Sequence, residues 1–214
     1  MIVSLWMSRN VITIGPDTSI TEAAAVMARS RIRRLPVVHP NTKQLIGIVS
    51  NSDLYRAFPL EVNPFSVVAQ EGQYHHRPVS EVMTPHPLTI TPEAPIEEAA
   101  RIMRDQKIAA LPVVKDDELV GVITESDIFK AFLELLESNA GDVSITFDAS
   151  HSHDLLEWMV TRATLHQIRV ESLISYRHDE RLLCVVRVSG NKVDKLVEDL
   201  WRSGHPVLNI LRTH

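Results

Sequence analysis

Ser50 and Asp53, and again Thr124 and Asp127, set a hydroxyl three residues ahead of a carboxylate. They lie in Gly47-Ile48-Val49-Ser50-Asn51-Ser52-Asp53-Leu54 and in Gly121-Val122-Ile123-Thr124-Glu125-Ser126-Asp127-Ile128. The apolar run before each pair reads as a strand, and the pair itself opens a helix. A helix start exposes unpaired N–H groups and the positive end of the dipole, both favourable to a phosphate. Ser50 and Thr124 add a hydroxyl donor there. Asp53 and Asp127, one turn in, are acceptors of the kind that take up the two hydroxyls of a ribose. The same spacing is also an ordinary helix cap with a stabilising acid in the first turn, and the same atoms can serve both purposes.

Positive charge is unevenly divided between the two stretches. Arg29, Arg31, Arg33 and Arg34 precede Leu35-Pro36-Val37-Val38, where the matching positions ahead of Leu111-Pro112-Val113-Val114 are Asp105, Lys107, Ala109 and Ala110. Arginine suits phosphate because its planar fork donates paired hydrogen bonds. A solvated helix end whose dipole favours cations is the plainer account of Arg29 and Arg31. Other chemistry finds little support: there is no recognisable nucleophile-base pair, no metal-ligand spacing, and no glycine fingerprint for phosphates or dinucleotides. His75-His76 and the pair His151 and His153 stand in polar stretches without a third ligand, which is the pattern of solvated histidines. Cys184, the single cysteine, sits in Leu182-Leu183-Cys184-Val185-Val186 and reads as a buried small hydrophobe, with no intrachain disulfide open to it.

The elements that must position these residues come twice. Met7 matches Met83 and Val38 matches Val114 at one constant offset, which then shortens by two residues at Gly47 and Gly121. A hairpin loop absorbs the difference, as a turn in a duplicated unit should. Ile12-Thr13-Ile14 predicts a short strand that Gly15-Pro16 stops, and Asp17 or Ser19 caps a helix over Ile20 to Ser30. Arg34 to Val38 is a strand whose Pro36 places it at an edge or a strand end. Asn41-Thr42-Lys43 turns the chain into a returning strand, Leu45 to Ser50. The second copy repeats this order, with Leu88-Thr89-Ile90 as its short strand, Pro95 at the first turn of its helix and Asp116-Asp117 in the tighter turn. Ile14, Val37, Ile48 and their counterparts Ile90, Val113 and Val122 are candidates for an apolar slot, though such residues ordinarily belong to the core.

The order strand-helix-strand-strand-helix, with Leu-Pro-Val-Val and Gly-x-x-Ser/Thr-x-Ser-Asp in both copies, resembles a tandem pair of CBS domains over about residues 1–138. The leading segments match as well, Val3-Ser4 with Met7-Ser8 and Val79-Ser80 with Met83-Thr84. The resemblance implies a pseudo-two-fold pair with two clefts, dimerisation through another pair, and an adenine nucleotide as ligand. It also implies a basic residue three positions before the proline, which is Arg33 in the first copy and Ala109 in the second, so the two sites are expected to be unequal. The candidate ligand-binding set is Thr13, Arg33, Ser50, Asp53, Thr89, Thr124 and Asp127. The nucleotide expected is AMP, ADP or ATP, with S-adenosylmethionine or NADH as further possibilities.

Beyond the polar break Glu137-Ser138-Asn139-Ala140-Gly141 the pattern predicts strands over 143–147, 168–176, 182–188 and 206–211, with helices over 153–165 and 193–201. This βαββαβ order is that of the split β-α-β unit. With Ser203-Gly204-His205 before the last strand it looks like an ACT domain, a module associated with small-ligand regulation and sheet-edge pairing. The loop Asp148 to His153 lacks the glycine that amino-acid-binding members carry. The whole combination is similar to bacterial acetoin-utilisation regulatory proteins. The expected fold is therefore α/β (α+β), with a CBS repeat at 1–58, a linker at 59–77, a second repeat at 78–138 and a ferredoxin-like, ACT-type domain at 142–214.

A chain of 214 residues has room for these modules. It shows neither a membrane-spanning apolar run nor a secretory leader, so a cytoplasmic location is expected. A net charge of −5 argues against a general nucleic-acid surface. Three kinds of function stay open: a nucleotide-sensing regulator without catalysis, a scaffold whose clefts are empty, and an enzyme, for which least speaks. A homodimer and a downstream protein, not named by the chain, are the expected partners.

Overall fold

In a computed structural model, residues 1–58, 63–65, 77–136, 142–151 and 154–213 are described. Most of the proline-bearing linker, His75, His76, His153 and the polar break at 137–141 lie outside them. The chain divides into two compact units, Met1–Leu135 and Leu136–His214.

The first repeat contributes helix α1 (Ile20–Ser30), strands β1 (Arg34–Val38) and β2 (Leu45–Ser50) and helix α2 (Asn51–Ala57). The second contributes β3 (Thr84–Pro85), α3 (Ile96–Gln106), β4 (Ala110–Lys115), β5 (Glu118–Thr124) and α4 (Glu125–Leu136). Ser19 caps α1 by accepting from the Glu22 N–H at 3.1 Å, while Pro95 stands at the N-cap position of α3 rather than inside its first turn. Each helix turns Ile20, Ala23, Ala24 and Met27, or Ile96, Ala99 and Met103, onto its own hairpin, with Leu35, Val37 and Val49, or Leu111, Val113 and Ile123, beneath. Both hairpins are antiparallel with a bulge at the same place, between Val37 and Val38 and between Val113 and Val114. The expected strands around Thr13 and Thr89 shrink to single parallel bridges, Ile14 to Val37 and Ile90 to Val113. Each bridge puts its residue on the outer edge of β1 or β4, so Pro36 does occupy an edge strand of its sheet, whose order is β1-β2-β3.

The leading segments are exchanged. Met1 to Met7 comes first in sequence, yet Val3 is fully buried in the core of the second repeat, held by Val3 N–H to Ala94 O at 2.9 Å and Ser4 N–H to Pro92 O at 2.9 Å. Val79 is buried in the first core, with Val79 N–H to Thr18 O at 2.8 Å and Ser80 N–H to Pro16 O at 3.1 Å. Ser8 then bridges to Val122, and Thr84–Pro85 pairs with Ile48 and Gly47. Each repeat is completed by a piece of the other, which is why neither would bury its apolar face alone.

The second unit has β6 (Val143–Asp148), α5 (Leu155–His166), β7 (Arg169–His178), β8 (Arg181–Ser189), α6 (Val193–Arg202) and β9 (Val207–Arg212). Its sheet order, β7-β8-β6-β9, all antiparallel, is that of the split β-α-β fold. Ile145, Phe147, Val186 and Val188 meet Met159, Ala163, Leu196 and Leu200 from the two helices. Cys184 is buried among them, and burial pushes its thiol up to about 12, the value of an inert group.

Candidate functional site

The strand registers bring the chemistry together. Arg34 lies opposite Ser50 across β1 and β2, and Ala110 lies opposite Thr124 across β4 and β5. The Asn51 N–H donates to Arg33 O at 3.0 Å, and the Glu125 N–H donates to Ala109 O at 3.4 Å. Each helix start is thereby tied to the residue before the neighbouring strand.

At both starts the hydroxyl and the acid are bonded to one another. Ser50 Oγ donates to Asp53 Oδ2 at 2.6 Å, Ser50 N–H donates to the same oxygen at 2.8 Å, and Asp53 N–H returns to Ser50 Oγ at 3.3 Å. Thr124 and Asp127 repeat these three contacts, in the same order, at 2.6, 2.8 and 3.3 Å. These are completed caps, so the first and third N–H groups of each helix are already engaged and the helix ends are less open to an anion than their spacing suggests. The acids differ at the second oxygen: Asp53 Oδ1 accepts from Arg56 at 2.8 Å, whereas Asp127 Oδ1 has no counterpart of that bond among the described residues.

Two clefts, of about 510 and 570 Å³, sit at these helix starts, within the range of small-molecule pockets. The α4 cleft is walled by Thr124, Glu125 and Ser126 on one side and by Arg31, Arg33 and Arg34 on the other. The α2 cleft is walled by Ser50, Asn51, Ser52 and Asp53, and faces Lys107 and Ala109. Cations therefore cross over: Arg31, at the end of the first repeat's helix, serves the second repeat's cleft, and Lys107 does the reverse. Both hold a left-handed backbone, φ 54°, as the residue that ends its helix. A non-glycine residue there is costly, by roughly 1 kcal/mol.

Of the residues expected from sequence, Arg33, Ser50, Asp53 and Thr124 line the clefts, and Asp127 reaches its cleft through Thr124. Thr13 and Thr89 do not join them. Ile12 and Leu88, one residue earlier, are the lining residues, and Thr89 faces a separate acidic depression with Glu93, Glu98, Asp116 and Asp117. Among the apolar candidates Ile48 and Val122 reach the clefts, while Ile14, Val37, Ile90 and Val113 are core. The expected ligand-binding set left out Arg31, Arg34, Lys107 and His86, although the charge comparison between the copies names the first three. The repeat itself was the available signal, since Lys107 is the counterpart of Arg31, and His86, which lines the α2 cleft at φ 45°, is the counterpart of Asn10 in the α4 cleft.

The profile of the CBS domain matches residues 2–60 and 79–134. The chain belongs to the CBS domain family. A CBS domain-containing protein of Dictyostelium discoideum is 33% identical over 138 residues, covering 64% of this chain and 94% of its own length. An uncharacterised protein of Methanocaldococcus jannaschii is 25% identical over 144 residues, and there the match spans only 51% of the relative. Among solved CBS pairs, a Vibrio cholerae protein provisionally named for acetoin utilization (AcuB) shares 33% identity, covering 64% of this chain and 93% of that one, with a TM-score of 0.53. CBSX2 in complex with AMP shares 29%, covers 64% and 98%, and also has a TM-score of 0.53. The CBS pair of protein MJ0100, in complex with 5′-methylthioadenosine and S-adenosyl-L-methionine, shares 28%, covers 62% and 95%, with a TM-score of 0.51. All of these matches cover about the share of the chain that forms the CBS pair. Among the described residues no helix is long and apolar enough to cross a membrane, and no group of three or more potential ligands is placed to hold a metal.

Proposed function

We propose that this CBS protein is a non-catalytic regulator that senses an adenine-containing nucleotide in the clefts of its CBS pair and passes the signal on through dimer or partner contacts. The observation that carries the reading is the set of cations facing the helix start in each cleft, with the ribose-type acceptor Asp53 lining one cleft and Asp127 hydrogen-bonded to the lining Thr124 of the other. Among the described residues nothing neutralises Arg31, Arg33, Arg34 or Lys107, although all four line a cleft. Unpaired cations converging on a concave surface are an expected recognition feature for phosphate. The two solved CBS pairs that hold AMP or adenosyl compounds support the choice of adenine. Such a ligand acts by binding one arrangement of the pair better than another, and its effect is bounded by that difference.

A scaffold with unoccupied clefts is the second reading, favoured by the completed caps at Ser50–Asp53 and Thr124–Asp127. Calorimetric titration with AMP, ADP, ATP, S-adenosylmethionine and NADH separates the two. The sensor reading expects saturable binding of at least one of them, weakened about tenfold or more by Asp53→Ala or Asp127→Ala in the cleft concerned. Absence of heat with all five, on folded protein, would leave the scaffold. ATP turnover untouched by either substitution would instead revive an enzyme.

A further inference from the structure

The two clefts share a wall. Arg33, Arg34, Ile48, Ala109 and Ala110 line both of them. The repeat equates Arg33 with Ala109 and Arg34 with Ala110, so one copy supplies two guanidinium groups to this wall and the other supplies two methyl groups. A symmetric pair would have given each cleft its own cations. Here the small side chains of the second copy leave the arginines accessible from either side, and no described residue pairs with them.

We infer that Arg33 and Arg34 form a single phosphate-holding centre used by both clefts, so that nucleoside phosphates in the two clefts compete for it. The inference rests on the proposal that the clefts take adenine nucleotides. A nucleoside monophosphate brings nearly two negative charges at neutral pH, which the two guanidiniums balance. A second phosphate then meets spent donors and a like charge across the same wall. The order of filling follows from the residues the clefts do not share. The α2 cleft adds Lys107, Arg56 and His86, and its one acid, Asp53, is already bonded to Arg56. The α4 cleft adds Arg31 but also Glu125, for which no ion pair is present among the described residues. The α2 cleft fills first, and its occupation weakens phosphate binding in the α4 cleft by about fivefold or more, the usual scale of coupling between sites.

The experiment is calorimetry of AMP with the full chain and four variants at low ionic strength. Unequal steps alone prove nothing, because unequal clefts also give them. The deciding comparison is the α4 cleft's affinity with the α2 cleft full, read from the second step of the unaltered chain, against its affinity with the α2 cleft disabled, read from Asp53→Ala. The second should be tighter by about fivefold or more. If the unaltered chain takes up only one AMP, Asp53→Ala should still bind one. Lys107→Ala, which leaves the Ser50–Asp53 cap intact, should weaken the first step and gives the same comparison should Asp53→Ala fold poorly. The double variant Arg33→Gln with Arg34→Gln should weaken both steps, and adding Asp53→Ala to it, the fourth variant, should leave the α4 affinity unchanged, a ratio of unity. Equal α4 affinities in both backgrounds, or a ratio that survives the double variant, overturn the shared centre while leaving the nucleotide reading intact. No AMP binding to any form overturns both.

Discussion

Asp53 and Asp127 each hold a helix end closed, and the proposed function gives each a second role at a ribose. The two roles are separable at the level of one side chain. Removing either carboxylate should cost about 1 kcal/mol of stability through the lost cap, whatever the clefts bind. Asn at the same position keeps an acceptor for the Ser50 or Thr124 N–H. Asp53→Asn should therefore melt close to the unaltered chain in a thermal scan while its AMP affinity stays reduced, because the neutral amide accepts more weakly from a ribose. The acids and hydroxyls were legible in the sequence because a hydroxyl and an acid three apart leave few geometries. Lys107 and His86 were not, since their role depends on which cleft a left-handed residue faces, and that is a property of the packed pair. A second residue-scale prediction concerns His205. It is buried, its ring edge-on to Phe147 and 5.3 Å from Trp158, with Ser203 Oγ 3.0 Å from Nδ1. Burial lowers its pKa below the ordinary value, an effect the nearby Asp148 charge partly opposes. The folded state thus resists the proton that the unfolded state takes up, so stability is full above the unfolded pKa of about 6.5 and declines as pH falls below it. Melting followed by tryptophan fluorescence should show a lower Tm at pH 5.5 than at pH 7.5, and His205→Gln should lose most of that difference. An equal shift in the variant would assign the effect to other groups.

At the scale of elements, the exchange of leading segments explains two glycines. Gly47 on β2 faces the Met83 side chain, and Gly121 on β5 faces Met7 and the Ser8 carbonyl. A Cβ at Gly47 would collide with the thioether sulfur of Met83, whereas one at Gly121 would come within 2.6 Å of the Met7 sulfur and 3.0 Å of Ser8 O. Methionine is adaptable, but the Ser8 carbonyl is fixed by its bond from the Val122 N–H at 3.0 Å. Both Ala substitutions should destabilise by about 1–3 kcal/mol, as overpacking does. Met83→Ala should restore much of the loss at Gly47, while Met7→Ala should restore less at Gly121. Denaturant midpoints of the four single and two double variants measure this directly, and equal rescue at both sites would count against the exchanged packing as described. Periodicity had located the helix Ile20–Ser30 and the returning strands almost to the residue, because a 3.6-residue stripe and a turn are local signals. That Met1 to Met7 fills the second repeat's core was not legible in this way, because an offset between copies records order along the chain and not which core a segment fills.

For the whole molecule, the broken equivalence of α2 and α4 bears on assembly. Tyr55 on α2 and Phe58 at its end correspond to Phe129 and Phe132 on α4. Phe58 is 5% exposed, and Phe65 from the linker packs on the same core and meets the Tyr55 ring edge-on at 5.2 Å. On α4 nothing equivalent is present among the described residues: Phe129 is 65% exposed, Phe132 42% and Leu133 51%. Three large apolar side chains within two turns form a contiguous patch of the kind that marks an interaction surface rather than scattered surface residues. A second copy is the occupant that fits with least addition, since a two-fold axis beside α4 sets the same three side chains against themselves and closes the assembly. Light scattering across a concentration series should then find a dimer for the unaltered chain. Phe129→Glu should yield a monomer, because it buries like charges across that axis. Tyr55→Glu, at the matching position of α2, serves as the control and should leave the dimer in place. If Phe129→Glu remains dimeric and Tyr55→Glu does not, the axis runs beside α2, and the signal from the clefts would leave the pair through the helix that Asp53 opens instead of the one opened by Thr124.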